Sequence, residues 1–213
     1  TYGGGANAML QDIGTVNRKI HVHFPDLPVI LMGHSMGSLA VRAYVAEHDS
    51  TVDMLIVCGS PSNNPARPLG VAVARMEKAV LGPRHRSWLI EGLSFGTGVM
   101  RFRKDKTCTA WICSDSEVAR EYKESELCGF TFTDDAYLAL FDLMKRAYDA
   151  EHYSCTNPKM PVLFVSGAED PCMINVRHFA KAVQNMRHAG YLDVKGKLYP
   201  GMRHEILNEK NKE

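Results

Sequence analysis

The chain has 213 residues, of which 45% are hydrophobic and 23% are charged, and its formal net charge is +1. This is the composition of an ordinary globular chain with enough apolar residues for a sizeable core, and the near-neutral charge gives no reason to expect a nucleic-acid partner. No stretch is long and apolar enough to predict a stable membrane span. The six cysteines show neither Cys-x-x-Cys pairs nor metal-ligand spacing, so we expect reduced structural thiols and no metal site.

The first predicted element is an amphipathic helix over residues 7–23, where apolar residues recur at three- and four-residue spacing. Pro25 and Pro28 end it. The chain starts at Thr1 and enters this helix almost at once, so we expect further protein sequence upstream. The absence of a signal peptide then says little about location, and cytoplasmic is only the default expectation.

A short apolar strand, residues 29–32, runs into Gly-His-Ser-Met-Gly at 33–37 and then into a helical run over 36–47. A strand, a sharp turn and a helix around Gly-x-Ser-x-Gly predict a nucleophile elbow that exposes the hydroxyl of Ser35. The two glycines would let strand and helix approach closely. The backbone N–H of Met36, at the start of the helix, would face an oxyanion forming beside the serine.

The remaining pattern predicts an α/β chain with a mainly parallel sheet flanked by helices. Further strands are predicted at 53–58, 161–167 and 194–199, with a helix from residue 176 to 186. We read strand 53–58 as covered on both faces, because its apolar residues do not alternate with polar ones. The alternation of strands and helices is interrupted by a long helical insertion, so we divide the chain into 1–60, 61–157 and 158–213.

Within the insertion, Thr133 is a candidate N-cap of a clear helix with acidic residues in its first turn. Apolar residues between Trp88 and Phe95 form a patch in a looser stretch. We expect aromatic and aliphatic residues of this insertion to form an apolar wall over the Ser35 turn. They are Trp88, Leu89, Phe95, Tyr137 and Phe141.

Ser35, Asp170 and His204 each follow a predicted strand, and the carboxyl ends of parallel strands meet at one edge of a sheet. Serine becomes a nucleophile when a histidine takes its proton, and an acid must orient that histidine. The order Ser, Asp, His is the one found in α/β-hydrolases. Glu169 is a rival acid.

Three other histidines are weaker candidates for the base. We expect His34, the neighbour of Ser35, to pack beside the site. His178 and His188 lie on or at the end of a predicted helix rather than after a strand.

Three segments carry a resemblance to a known family: Gly-His-Ser-Met-Gly-Ser, Val-Ser-Gly-Ala-Glu-Asp-Pro and Leu-Tyr-Pro-Gly-Met-Arg-His-Glu-Ile-Leu-Asn-Glu. Together they resemble the lysophospholipase and monoacylglycerol-lipase-like group of α/β-hydrolases, often labelled serine aminopeptidase-type. The resemblance implies Ser35 as nucleophile, Asp170 as acid, His204 as base and 61–157 as a cap over the acyl pocket. It implies hydrolysis of a lipid-like ester without a cofactor or metal.

Alternatives stay open at this point: a small-ester carboxylesterase, a peptidase, or an inactive hydrolase-like fragment or binding module. Members of the resembled group have several strands and a His-Gly oxyanion segment before the elbow. Here the elbow comes about 30 residues into the chain, so we interpret the sequence as an internal piece that lacks the second oxyanion donor. Strand 29–32 should then be a sheet edge through which chains could self-associate.

Overall fold

The computed structural model describes residues 4–105, 107–210 and 212. Its centre is a four-stranded parallel sheet in the order β1-β2-β3-β4. The strands are β1 (Ile30–His34), β2 (Met54–Cys58), β3 (Val162–Gly167) and β4 (Val194–Tyr199). The prediction of an α/β chain built on a parallel sheet is confirmed.

Seven α-helices accompany the sheet in the described residues. They are α1 (Gly5–His23), α2 (Met36–His48), α3 (Arg67–Leu81), α4 (Trp88–Arg101), α5 (Ser116–Glu124), α6 (Asp134–Tyr148) and α7 (Val176–His188). Four of them, α3 to α6, lie between β2 and β3 and form the helical insertion. None of the helices in this part of the chain has the length and apolarity needed to cross a bilayer.

Two local expectations differ from the structure. Strand β1 continues two residues past Met32, because His34 still pairs with Cys58 of β2. The apolar patch expected in a looser stretch lies in the regular helix α4, whose N-cap Ser87 accepts a hydrogen bond from the Ile90 N–H. Three glycines and several exposed apolar side chains in α4 had weakened its sequence signal.

The main core lies on one face of the sheet. Leu55 of β2 and Phe164 of β3 point into it, and Val45 of α2 and Met186 of α7 pack against them from the helices. All four side chains are completely buried. Helices α2 and α7 therefore fix the sheet from this side.

On the opposite face β2 is covered in part: none of its side chains is exposed, as expected, but Met54 and Ile56 are only half-buried. The upper part of this face packs against Met202 and Ile206, which follow β4. Towards the other end, on the edge strand, Ile30 and Met32 are 57% and 42% exposed. Apolar surface of the edge strand β1 therefore remains open on this face.

Arg42 of α2 joins the helices around the main core. Its guanidinium donates to the Ala147 carbonyl of α6 at 2.7 Å and to Asn185 Oδ1 of α7 at 3.1 Å. The same group stacks over the ring of Tyr148, 4.2 Å from its centroid. A buried arginine with these partners holds α2, α6 and α7 together behind the elbow.

Candidate active site

Ser35 occupies the turn between β1 and α2 with φ 54° and ψ −123°, a conformation that costs a non-glycine residue free energy. Backbone hydrogen bonds hold it there. The Ser35 N–H donates to the Cys58 carbonyl at 3.0 Å, and the Ser38 N–H donates to the Ser35 carbonyl at 2.9 Å. The strain is thus imposed by β2 on one side and by α2 on the other.

The two glycines of the turn differ in whether a side chain would fit in their place. A Cβ atom at Gly33 would lie 2.3 Å from the Gly37 carbonyl oxygen and 2.7 Å from Val41 Cγ2. A Cβ atom at Gly37 would meet nothing within 4 Å. Close approach of strand and helix therefore requires glycine at position 33, and the expectation that both glycines serve it was wrong for Gly37.

The serine hydroxyl stands beside the N-terminus of α2. Met36 is the first residue of this helix, so its N–H has no partner within the helix and can face a ligand. In the described part of the chain, the structure records no hydrogen bond to the Ser35 hydroxyl. This leaves the hydroxyl accessible next to a backbone donor.

Asp170 and His204 form a buried pair. Asp170 is 0% exposed and His204 is 3% exposed, and His204 Nδ1 lies 3.0 Å from Asp170 Oδ2. The Ser166 hydroxyl donates to the same carboxylate oxygen at 3.0 Å, and the Cys172 N–H donates to Oδ1 at 2.8 Å. The carboxylate is therefore fully engaged and can hold one orientation of the imidazole.

The pair shifts the pKa values of both members. Burial acts to raise the pKa of Asp170, but the imidazole of His204 and the hydrogen bonds to the carboxylate hold it below its usual value. Burial acts to lower the pKa of His204, yet its neighbours Cys172 and Asp170 raise it well above the ordinary 6.5. We attribute the rise to Asp170, because burial raises the pKa of the Cys172 thiol and keeps it uncharged.

His34 links the Ser35 turn to His204. Its ring centroid lies 4.6 Å from that of His204, and its Nε2–H donates to the His204 carbonyl at 3.1 Å. The interpretation that His34 packs beside the site is confirmed. The structure thus joins His204 to Asp170 directly, and to the serine turn through the residue that precedes Ser35.

The loop that carries His204 is clamped to residues 105–114 of the insertion. The Arg203 guanidinium donates to the Ala110 carbonyl at 2.6 Å and pairs with Asp105 at 2.7 Å. The buried carboxylate of Glu209 accepts from the Arg203 N–H at 2.7 Å and from the Ser114 N–H at 3.0 Å. Sequence reasoning missed both clamps, because their partners are about 90 residues away along the chain.

The rival acid and the other histidines lie elsewhere. Glu169 is 41% exposed, and its nearest basic partner is Arg203, at 4.0 Å. His178 lies within α7 and His188 ends it, as expected. Of the two acidic candidates, only Asp170 contacts the imidazole of His204.

Two further side chains at the pair were not singled out from the sequence. Cys172 has its sulfur within 4.8 Å of ligand atoms of both Asp170 and His204. The ring of Trp111 lies 5.3 Å from that of His204 and stacks on Phe95 of α4, also at 5.3 Å. A cysteine two residues after the candidate acid was a visible signal, whereas nothing in the sequence placed Trp111 here.

The expected aromatic wall is only partly formed by the residues named for it. Phe95 reaches the site through Trp111. Trp88 and Leu89 of α4 are exposed. Tyr137 and Phe141 are buried in a second core cluster, between α2, α3 and α6.

The fold and this constellation define the class of protein. The family model described as serine aminopeptidase, S33, matches residues 2–211. The chain therefore belongs to this family of α/β-hydrolases. A comparison with curated proteins found no match.

Solved structures with this fold include esterases and lipases. A thermostable carboxyl esterase from Bacillus coagulans, in complex with glycerol, is 25% identical with a TM-score of 0.85, over 96% of this chain and 66% of that one. A lipase in an open form is 23% identical with a TM-score of 0.84, over 97% and 67% of the two chains. A monoacylglycerol lipase from Paleococcus ferrophilus is 19% identical with a TM-score of 0.68, over 97% and 70%. The chain thus spans about two thirds of their length.

Proposed function

We propose that this chain carries the active site of a serine hydrolase that cleaves carboxylic esters of lipid type, such as a monoacylglycerol or a lysophospholipid. The observation that carries the proposal is the buried Asp170–His204 pair packed against the strained elbow of Ser35. A carboxylate-oriented imidazole that takes the proton of a serine hydroxyl is the arrangement that activates this nucleophile.

In the proposed mechanism, His204 takes the proton of Ser35 as the serine oxygen attacks the ester carbonyl. The Met36 N–H donates to the resulting oxyanion, and His204 then protonates the leaving alkoxide to leave an acyl-enzyme. Water, deprotonated by the same imidazole, attacks the acyl group. The imidazolium then protonates the Ser35 oxygen as the bond to it breaks and the acid is released. Asp170 keeps the imidazole in the required tautomer and stabilises its charge.

Labelling with a fluorophosphonate probe tests the nucleophile. We expect the probe to modify Ser35 in the full-length protein, and Ser35→Ala to abolish labelling and lower ester hydrolysis by about 10⁶-fold. The matched control is Cys172→Ala, since this thiol is the other nucleophilic group beside His204. Labelling that survives Ser35→Ala and disappears in Cys172→Ala would overturn the assignment.

The substrate class is tested by acyl length. Phe95 and Trp111 present stacked rings beside His204, and an apolar wall there favours a long acyl chain. We expect kcat/KM for p-nitrophenyl decanoate to exceed that for the acetate, and Phe95→Ala to reduce this preference. Leu89→Ala on the exposed side of the same helix is the control.

A second candidate function is favoured by the 25% identity to a carboxyl esterase. Turnover of p-nitrophenyl acetate equal to or better than that of the decanoate would support this small-ester alternative. Cleavage of an aminoacyl amide with no ester turnover would point instead to a peptidase.

A further inference from the structure

A second cluster of ionisable side chains lies in the helical insertion, away from the proposed triad. Glu77 near the end of α3, His85 in the α3–α4 loop and Asp134 at the start of α6 place one ligand atom each within 4.8 Å of one another. Asp134 is completely buried, Glu77 is half-buried and the side chain of His85 is 29% exposed. The proposed hydrolase chemistry uses none of the three.

This cluster contains acceptors that nothing in the described chain satisfies. Asp134 Oδ1 and Glu77 Oε2 are both buried without a hydrogen-bond partner among the described residues. Lys78, the neighbour of Glu77, instead pairs with Asp135 at 2.6 Å. Buried carboxylate oxygens without a partner are costly, because each loses the hydration it has in water.

The backbone holds the cluster in place. The Asp134 N–H donates to the His85 carbonyl at 2.9 Å, and an antiparallel bridge joins Arg86 to Thr133. The Thr133 side chain caps α6 by accepting from the Ala136 N–H. Two of the three ligands are therefore fixed relative to each other before any ion binds.

The donor set and its spacing fit zinc. One imidazole nitrogen and two carboxylates are typical protein ligands of Zn²⁺, and two ligands of a tetrahedral zinc lie about 3.3 Å apart. His85 Nδ1 and Asp134 Oδ2 are already 3.2 Å apart. The flexible side chain of Glu77 allows its carboxylate to approach the same point, and the partly exposed side chain of His85 leaves room for a water as fourth ligand.

We propose that Glu77, His85 and Asp134 bind one Zn²⁺ ion that ties α3, the α3–α4 loop and α6 together. The imidazole selects zinc over the hard cations Mg²⁺ and Ca²⁺, which prefer all-oxygen sites. The ion supplies positive charge to the carboxylates of Glu77 and Asp134, which otherwise share, among the described residues, only the contact of His85 with Asp134.

The test measures zinc binding and stability in the intact protein. After removal of metal with a chelator, we expect the protein to take up one Zn²⁺ per chain in competition with a chromogenic chelator. Zinc at a hundredfold excess over Kd should raise Tm by about 5 to 10 °C. Millimolar Mg²⁺ or Ca²⁺ should neither bind at this site nor raise Tm.

Variants separate this site from the catalytic pair. His85→Ala and Glu77→Gln should weaken zinc binding by more than the ~10–100-fold that loss of an outer-shell partner costs. His178→Ala is the surface-histidine control. Cys172→Ala is the second control, because Asp170, Cys172 and His204 are another set of potential ligands.

Two outcomes would overturn the proposal. Loss of zinc uptake in Cys172→Ala, with His85→Ala unaffected, would place the ion at the catalytic pair. An unchanged Tm with zinc, together with a higher Tm for Glu77→Gln, would show that Glu77 and Asp134 share a proton instead. Both readouts are independent of ester hydrolysis, so the zinc site and the proposed function can fail separately.

Discussion

At the scale of single residues, His204 is controlled by contacts on several sides. Asp170 binds its Nδ1, His34 donates to its carbonyl, and the ring of Trp111 lies 5.3 Å from its own. Arg203 and Glu209 hold the backbone beside it. An imidazole confined in this way has little freedom to reorient, so under the proposed mechanism its charge state decides whether it can take the serine proton.

The pH dependence follows from the raised pKa of His204. Only the neutral imidazole accepts the proton of Ser35, so a higher pKa moves the onset of activity to higher pH. We expect kcat/KM to be low at acidic pH and to rise with increasing pH, with an apparent pKa above 6.5. Initial rates with an uncharged ester across pH 5–9 measure this rise; an apparent pKa at or below 6.5 would contradict the assignment.

Carboxylate variants are the controls for this profile. Glu169→Gln should leave the apparent pKa of this profile unchanged, since this half-exposed side chain contacts Arg203 and not the imidazole. Asp170→Asn should lower kcat by about 10⁴-fold, because an amide favours the wrong tautomer of the histidine. A larger effect of Glu169→Gln would exchange the roles of the two acids.

At the scale of elements, the elbow depends on how closely β1 approaches α2. The contact runs from Gly33 to the backbone of Gly37 and the side chain of Val41. Backbone atoms cannot move aside as a flexible side chain can. Position 33 therefore sets the distance between the strand and the helix that present Ser35.

A pair of glycine variants tests this element. Gly33→Ala should lower the free energy of unfolding by about 1–3 kcal/mol or more and displace Ser35, because its Cβ overlaps backbone. Gly37→Ala should be neutral or stabilising by up to about 1 kcal/mol, because its Cβ meets no atom and alanine favours a helix. Denaturant unfolding measures both; equal destabilisation would contradict the packing described here.

At the scale of the whole molecule, the sheet of the described residues begins at the edge strand β1. Strand β1 pairs only with β2 among the described residues, as expected for strand 29–32. Its exposed side chains Ile30 and Met32 continue onto the uncovered part of the second sheet face. Apolar edge strands without charge or proline are templates for pairing with another chain.

We predict that the 213-residue chain self-associates through this edge. Sedimentation velocity should show average mass rising with concentration, and Ile30→Lys with Met32→Lys should suppress the rise by placing charges on the strand. Leu127→Lys, at an exposed leucine in the insertion, is the control and should change nothing. A wild-type chain that stays monomeric across the concentration range would refute the prediction.

The sequence by itself determined the elements and the order of the chemical groups. Apolar runs and helical periodicity predicted the four strands and most helices, because these patterns depend on neighbours within a few residues. Gly-x-Ser-x-Gly between a strand and a helix marked Ser35. The capping residue Thr133 was also correct, since a cap contacts only the turn that follows it.

Only the tertiary structure decided which distant groups meet. The clamp of Glu209 on Ser114, the ring of Trp111 beside His204 and the cluster of Glu77 with Asp134 all join residues more than 50 positions apart. Local patterns carry no information about such contacts, because they are set by how the helical insertion folds back onto the sheet. The exposed apolar surface of the sheet could not be predicted for the same reason. An apolar strand shows that its side chains can be buried, but not what packs on each side.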